Sequence, residues 1–263
     1  HEKTDMLHVV HLFTIDDTYR YRYRESGNNQ VPNYPGSSVI IDYYLNEEPS
    51  EDISLIILDQ DSNPIYSASS AKPDTSKSVT DMATGFSREI SRTTLTKKKR
   101  TNRFRWNMRH AGAWDKDPKR AFLNGPLAAP GTYTANLIVD KKLFKQSFEI
   151  LMDPKVIQSG IRIHDLRAQE KLALAVRKAL DESKILAFNV KDAEAGPMLQ
   201  IKNTLVTAKG PYPQPMLIDQ LNYLRSMIDR ADQRPGKDAY LRYEELKSQL
   251  MVLQQSYVET GNQ

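Results

Sequence analysis

Asp59-x-Asp61-x-Asn63 is a pattern whose residue types and spacing could bind a metal ion. It begins like a calcium-binding loop, because alternate side-chain oxygens can converge on one hard cation. Pro64 then stands where such a loop needs glycine, and Ser70 stands where it needs a bidentate glutamate. We therefore interpret this segment as the turn of a β-hairpin.

The pair His8-x-x-His11 would place two imidazoles on the same face of a helix. The apolar residues around the pair alternate as they do in a strand, which puts the two rings on opposite faces. No acidic residue follows at ligand spacing. We predict no metal site at this pair, and no metal or other cofactor elsewhere in the chain.

Hydrolytic chemistry needs paired carboxylates, or a nucleophile beside a base. The chain has 33 Asp and Glu residues, but none stands in a recognisable catalytic arrangement. The Gly-x-Ser-x-Gly motif, a phosphate-binding glycine loop and a dinucleotide fingerprint are all missing from the sequence. We predict that the chain is not an enzyme and carries no catalytic or cofactor-binding residues.

Aromatic residues offer a different kind of site, because their faces can pack on sugar rings. Tyr19, Tyr21 and Tyr23 alternate with Arg20, Arg22 and Arg24, and further rings stand at Tyr34, Tyr43, Tyr44, Trp106 and Trp114. A carbohydrate platform and a buried aromatic face both fit this composition. We favour a buried tyrosine face with the arginines outward, and a core position for Trp106.

The overall composition indicates a globular protein. Of the 263 residues 39% are hydrophobic and 27% charged, and the absence of cysteine excludes disulfides and thiolate sites. The net charge is only +4, and Lys97–Arg100 form a local run that we assign to a solvated loop. Nucleic acid is not an expected partner. No run approaches the roughly 18 apolar residues of a membrane span, so we predict a chain that does not span a membrane.

The elements that would carry these residues change in type near residue 155. Short β-branched and aromatic runs separated by turn residues predict strands, and later segments with helical periodicity predict helices. Predicted strands cover 38–45, 53–58, 65–68, 103–108, 132–139 and 143–151, and predicted helices cover 163–190, 199–206, 216–231 and the region after 238.

These elements predict an α+β multidomain chain. Residues 1–154 are expected to form an immunoglobulin-like antiparallel β-sandwich, with a long Ser/Thr/Lys-rich loop near 69–101. Residues 155–263 are expected to form an α-helical bundle of about three helices, because each apolar stripe must be buried against another helix.

Several segments resemble a known family. The segments HLFTIDDTYRYRY, NYPGSSVIIDYYL and ISLIILDQDSNPI, followed by NRFRWNMRHAGAW and APGTYTANLIVDKK, look like the C-terminal region of bacterial sortilin-like, Asp-box-repeat β-propeller proteins. NRFRWNMRHAGAW and APGTYTANL are the most specific of them. The later segment QPMLIDQLNYLRSMIDRADQRPGKDAYLRYEELKSQL resembles the helical tail of the same proteins. The resemblance implies an immunoglobulin-like module and a helical tail behind a propeller, in an exported protein whose family carries a glycosyl-hydrolase-like label.

The residues and the resemblance lead to one functional expectation and one alternative. We expect a non-catalytic structural or protein-interaction C-terminal module of a secreted or envelope-associated β-propeller protein, with the preceding propeller and an envelope protein complex as partners. We also interpret the start at His1 as that of a fragment or processed product. The expected localisation is secreted, periplasmic or outer-membrane-associated. The alternative is a carbohydrate-binding accessory region of a glycan-degrading enzyme, with a glycan as the partner.

Overall fold

The computed structural model describes residues 10–22, 37–71, 94–117, 120–123 and 125–261. The fold is α+β, and the chain divides into two compact units. The first unit contains all the described strands and ends at Ile163. The second unit contains everything after Ile163 together with residues 111–126, which come from between two strands of the first unit.

Eight strands lie in the described part of the first unit: β1 (Val10–Leu12), β2 (Thr18–Arg20), β3 (Val39–Leu45), β4 (Ser54–Leu58), β5 (Pro64–Ser69), β6 (Arg100–Trp106), β7 (Gly131–Val139) and β8 (Lys142–Met152). A three-stranded sheet has the order β1-β3-β6, and a curled five-stranded sheet has the order β2-β8-β7-β4-β5. Every neighbouring pair is antiparallel except β2 and β8, which run parallel.

The predicted immunoglobulin-like antiparallel sandwich followed by a three-helix bundle is wrong. The five-stranded sheet is mixed, because β2 adds to β8 in the parallel direction, and it curls into a half-barrel. The backbone N–H of Glu149 donates to the Asp17 carboxylate at 2.9 Å and so fixes the entry to β2. This pairing joins residues more than a hundred positions apart, and local alternation in the sequence carries no signal for it.

Tight turns join β4 to β5, which confirms the predicted hairpin, and β7 to β8. In the β4–β5 turn the Asp59 carboxylate accepts hydrogen bonds from the backbone N–H of Asp61 (2.9 Å) and of Asn63 (2.8 Å). The β7–β8 turn has positive φ at Asp140 (47°) and Lys141 (64°), as a two-residue turn that matches strand twist requires. Asp59 therefore stabilises a turn, as the sequence predicts.

The described residues of the first unit share a hydrophobic core, to which both sheets contribute. Trp106 lies at its centre, with ring centroids 5.9 Å from Tyr133, 6.3 Å from Tyr66 and 6.3 Å from Phe148. The indole N–H donates to the backbone carbonyl of Arg109 at 2.9 Å, so the one polar atom of the buried ring has a partner. The predicted core position of Trp106 is confirmed.

Five helices follow the last strand: α1 (Pro154–Gln158), α2 (Ile163–Asn189), α3 (Gly196–Leu205), α4 (Leu217–Ile228) and α5 (Lys237–Gly261). The short α1 belongs to the first unit, and α2–α5 lie in the second. Leu246 and Leu250 of α5 are buried against α3 and α4, which agrees with the expectation that each apolar stripe packs on another helix. The buried Gln169 of α2 donates to the carbonyls of Ile228 (2.7 Å) and Ala231 (2.6 Å), and so satisfies the end of α4.

Candidate interaction surface

The outward face of the three-stranded sheet gathers aromatic, aliphatic and arginine side chains. Its pairing register places His11 beside Tyr44, Ile40 beside Arg105 and Asp42 beside Arg103. We call this surface the aromatic–arginine face, and it consists of His11, Phe13, Ile40, Asp42, Tyr44, Thr101, Arg103 and Arg105.

Strict alternation along β3 and β6 produces this face. In β3 the residues Val39, Ile41, Tyr43 and Leu45 are buried, and those between them point outward. In β6 the buried residues are Asn102, Phe104 and Trp106. Because successive side chains of a strand point to opposite sides, burial of one set leaves the other in solvent. The face is therefore carried by rigid backbone.

An ion pair fixes one arginine in the middle of the face. The Arg103 guanidinium donates to both carboxylate oxygens of Asp42, through Nε at 2.7 Å and Nη2 at 2.7 Å. This bidentate hydrogen bond holds the pKa of Asp42 below its ordinary value, and the charge of Arg105 acts in the same direction. The two arginines thus place two positive charges around one carboxylate.

Apolar atoms surround these charges. The rings of His11 and Phe13 meet edge to face, with centroids 4.8 Å apart. Phe13 and Ile40 are both exposed large hydrophobic residues. Aromatic residues and arginine are the types enriched in protein–protein interfaces, where they dominate the binding energy. The composition of the face therefore matches that of a protein-binding surface.

A basic run enters the same edge of the sheet. The buried side-chain amide of Asn102 donates to the carbonyls of Lys98 (2.8 Å) and Arg100 (3.0 Å) and accepts from the Lys98 N–H (3.1 Å). Lys97 donates to the Glu51 carbonyl at 3.2 Å. The basic run is thus anchored to the sheet, while Lys98, Lys99 and Arg100 stay exposed, which agrees with the predicted solvated loop. Residues 72–93 of the predicted long loop lie outside the described residues.

The prediction that the tyrosines are buried and the arginines exposed is wrong at β2. Tyr19 is 50% exposed and Tyr21 is 38% exposed, whereas Arg20 is only 2% exposed. The reason is the parallel pairing with β8, which places Arg20 beside the inward-facing Met152 and Tyr19 beside Leu151. Two rings that the sequence assigned to the core are therefore on the surface.

Other sequence candidates have separate positions. Tyr43 is fully buried, and its hydroxyl donates to the carbonyl of Thr96. His11 lies on the aromatic–arginine face, while His8, Tyr23 and Tyr34 lie outside the described residues. Among the described residues, no group of three or more His, Asp or Glu side chains is arranged to hold a metal ion.

A charged cluster that the sequence did not predict lies in the second unit. Asp115 contacts Lys184 (3.1 Å) and Arg120 (3.1 Å), and the Trp114 N–H donates to Asp181 at 2.5 Å. Burial by itself raises the pKa of Asp115, but its hydrogen bonds bring that pKa below the ordinary value. Each member of the cluster binds another member, so the cluster attaches residues 111–126 to α2.

Comparisons with known proteins provide no family. No family model matches the chain, and no curated protein matches it. One solved structure, a Bifidobacterium dentium β-glucuronidase complexed with coumarin-3-O-glucuronide, is 13% identical, with a TM-score of 0.22. The match covers 54% of this chain and 18% of that enzyme, so the chain spans less than a fifth of its length. At this TM-score the similarity supports no functional argument.

None of the helices in the described ranges is both long enough and apolar enough to cross a bilayer.

Proposed function

We propose that this chain is a non-catalytic protein-interaction module, and that it binds its partner through the aromatic–arginine face. The observation that carries the proposal is the exposure of Phe13 and Ile40 next to the ordered Asp42–Arg103 pair. Apolar side chains held on a rigid sheet lose little conformational freedom on binding, and a charged rim supplies orientation.

The resemblance to sortilin-like, Asp-box-repeat proteins supports a β-propeller as the partner. A module that follows a propeller in the same family of proteins has that propeller as its nearest available surface. The proposed localisation is the one that the resemblance implies, which is secreted, periplasmic or associated with the outer membrane.

Replacement of Ile40 by aspartate tests the proposal. The full chain and its variants would be titrated against a purified β-propeller domain of the sortilin-like class by biolayer interferometry. Ile40→Asp introduces a charge into the centre of the proposed interface, so we expect the Kd to rise about tenfold or more. Leu143→Asp is the matched control, because Leu143 is 49% exposed on a strand of the other sheet and Ile40 is 38% exposed.

The Leu143→Asp variant is expected to bind like the unmodified chain. Equal weakening by both substitutions, or no effect of either on a measurable affinity, would contradict the assignment of the face. Circular dichroism of both variants checks that each remains folded.

The exposure of Tyr19 and Tyr21 favours a second candidate function, carbohydrate binding. Rings on the surface can pack on pyranose faces, whereas the buried rings expected from the sequence could not. In this second proposal the chain is an accessory region of a glycan-degrading enzyme.

Affinity gel electrophoresis tests the carbohydrate proposal. Retardation on a polysaccharide gel that is lost in Tyr19→Ala, but retained in Tyr212→Ala, would support it. Tyr212 is a suitable control because its side chain is fully exposed in the second unit. Absence of retardation on a panel of plant, algal and host polysaccharides would exclude it.

A further inference from the structure

The positive charge of the chain is concentrated in one strand and the segment that leads into it. Residues 97–109 contain seven Lys and Arg residues and no Asp or Glu. The net charge of the whole chain is +4, so all the other residues together carry −3. The basic segment is therefore a local feature, set against a slightly acidic remainder.

The fold puts this charge on the edge of a sheet. The strand β6 pairs with β3 on one side and, among the described strands, with none on the other. The unpaired side of a strand presents backbone donors and acceptors to an added peptide. Thr101, Arg103 and Arg105 point outward from this strand, on the aromatic–arginine face.

The basic edge is also held in place. Asn102 bonds to the backbone of Lys98 and Arg100, and Lys97 contacts the Asp52 carboxylate at 3.6 Å. Lys98, Lys99 and Arg100 are nevertheless exposed. An ordered backbone with exposed cations lowers the conformational entropy lost when a ligand binds.

We infer that β6 binds an acidic, extended peptide segment of the partner protein by strand addition. In this geometry the backbone of the peptide pairs with the open side of β6. Its alternate carboxylates lie on the aromatic–arginine face, beside Arg103 and Arg105. The inference rests on the proposed protein-interaction function and names the chemistry of the partner.

Charge also determines which strand is accepted. A second copy of β6 would bring like charges opposite one another, and cations on an edge disfavour such pairing. The same cations favour a strand that carries carboxylates, so they discriminate among partners by repulsion as well as attraction. An acidic peptide is therefore the occupant that the charge pattern selects.

The probe is a synthetic peptide of about nine residues, with Glu at alternate positions and Thr or Val between them. Its binding to the full chain would be measured by fluorescence anisotropy. We expect saturable binding that weakens as NaCl rises from about 0.05 M to about 0.3 M. A peptide with Gln in place of Glu, and one with alternate backbone N-methyl groups, should both bind much more weakly, because the first lacks the charges and the second cannot pair as a strand.

Variants of the protein locate the site. Arg105→Gln removes an exposed positive charge from the aromatic–arginine face and should raise the Kd of the acidic peptide about fivefold. Lys145→Gln, on the outward side of β8, is the matched control and should leave the Kd unchanged. Equal effects of the two substitutions would overturn the inference.

The remaining outcomes separate the inference from the proposed function. If the propeller binds through Ile40 but the acidic peptide does not bind, strand addition is wrong and the proposed function stands. If the N-methylated peptide binds as well as its parent, the site is only an electrostatic patch and the inference fails. If oligogalacturonate binds at β6 more tightly than the peptide, the site is a site for acidic polysaccharide, and strand addition fails again.

Discussion

Asp181 is a half-buried carboxylate that links α2 to the segment 111–126 in the second unit. Its carboxylate accepts a hydrogen bond from the backbone N–H of Trp114 at 2.5 Å, and the Arg177 guanidinium lies 3.6 Å away. Burial raises the pKa of Asp181, against the opposing effects of the Trp114 N–H, Arg177 and Lys184. The hydrogen bond that Asp181 accepts stabilises the fold, whereas the burial of its negative charge destabilises it.

Substitution of Asp181 separates these two contributions. Asp181→Ala leaves the buried Trp114 N–H without its acceptor and should lower the free energy of unfolding by about 1–3 kcal/mol. Asp181→Asn keeps an acceptor and removes the charge, so its loss should be less than about 1 kcal/mol. Urea denaturation followed by circular dichroism measures both, and an Asn variant as unstable as the Ala variant would contradict the assignment.

The raised pKa of Asp181 also determines how the stability of the chain depends on pH. Because the folded state holds this proton more tightly than the unfolded state, folding takes up protons at pH values between the ordinary pKa of 3.8 and the raised one. The stability of the unmodified chain, relative to Asp181→Asn, should therefore rise as the pH falls from 7 through the raised pKa. It should level off below 3.8. Urea midpoints at several pH values test this, and a relative stability that falls on acidification would show the opposite sign.

The sequence could not assign Asp181 a role, because its main partner lies 67 positions away along the chain. Tyr19 and Arg20 are a second case in which a contact with a distant residue decided what the local sequence could not. Alternation predicts that two sets of side chains face opposite sides, and this holds in β2, but it does not say which side is buried. The choice depends on pairing with β8, which contributes Met152 to the inner side.

The segment 111–126 was predicted to belong to the N-terminal domain, and this assignment is the one furthest from the structure. It lies between β6 and β7, yet it packs with the helices of the second unit. Ala113 belongs to the helical core, and the Trp114 ring contacts Phe188 of α2 with centroids 6.0 Å apart. The second unit thus contains a segment that precedes its helices by about forty residues.

Truncation of Trp114 tests the contribution of this segment. Trp114→Ala should lower the free energy of unfolding by about 3–5 kcal/mol, since it removes a buried ring from a packed contact. Tyr212→Ala changes a fully exposed ring and should stay within about 0.5 kcal/mol of the unmodified chain. Thermal unfolding at 222 nm compares the two, and similar melting temperatures for both variants would show that residues 111–126 do not stabilise the helices.

Most individual elements could be predicted from the sequence. The strands β3, β4 and β7 lie where β-branched and aromatic runs predict them, and the helices α2 and α5 lie where helical periodicity predicts them. Each of these elements buries one regular stripe of apolar residues. The mixed sheet and the origin of 111–126 depend on contacts between distant residues. Those contacts leave no local pattern, so the architecture predicted for the chain was wrong although its elements were largely right.

Positive charge is unevenly distributed over the molecule, and this uneven distribution connects the fold to the proposed function. Residues 97–109, which are the edge strand β6 and the residues that flank it, carry seven cations, and the remaining residues are slightly acidic in sum. Alternation in β3 and β6 was recognisable in the sequence. The surface formed by β1, β3 and β6 together was not, because it requires the register of three strands.

Hydrogen–deuterium exchange of the full chain, with and without a purified β-propeller domain, is the most direct test of this surface. The account predicts that binding slows exchange of the backbone amides of β6, while those of β7 and β8 and of the helices of the second unit are unchanged. Protection confined to β7, β8 or those helices, with β6 unaffected in a saturated complex, would contradict the claim that the aromatic–arginine face is the binding surface.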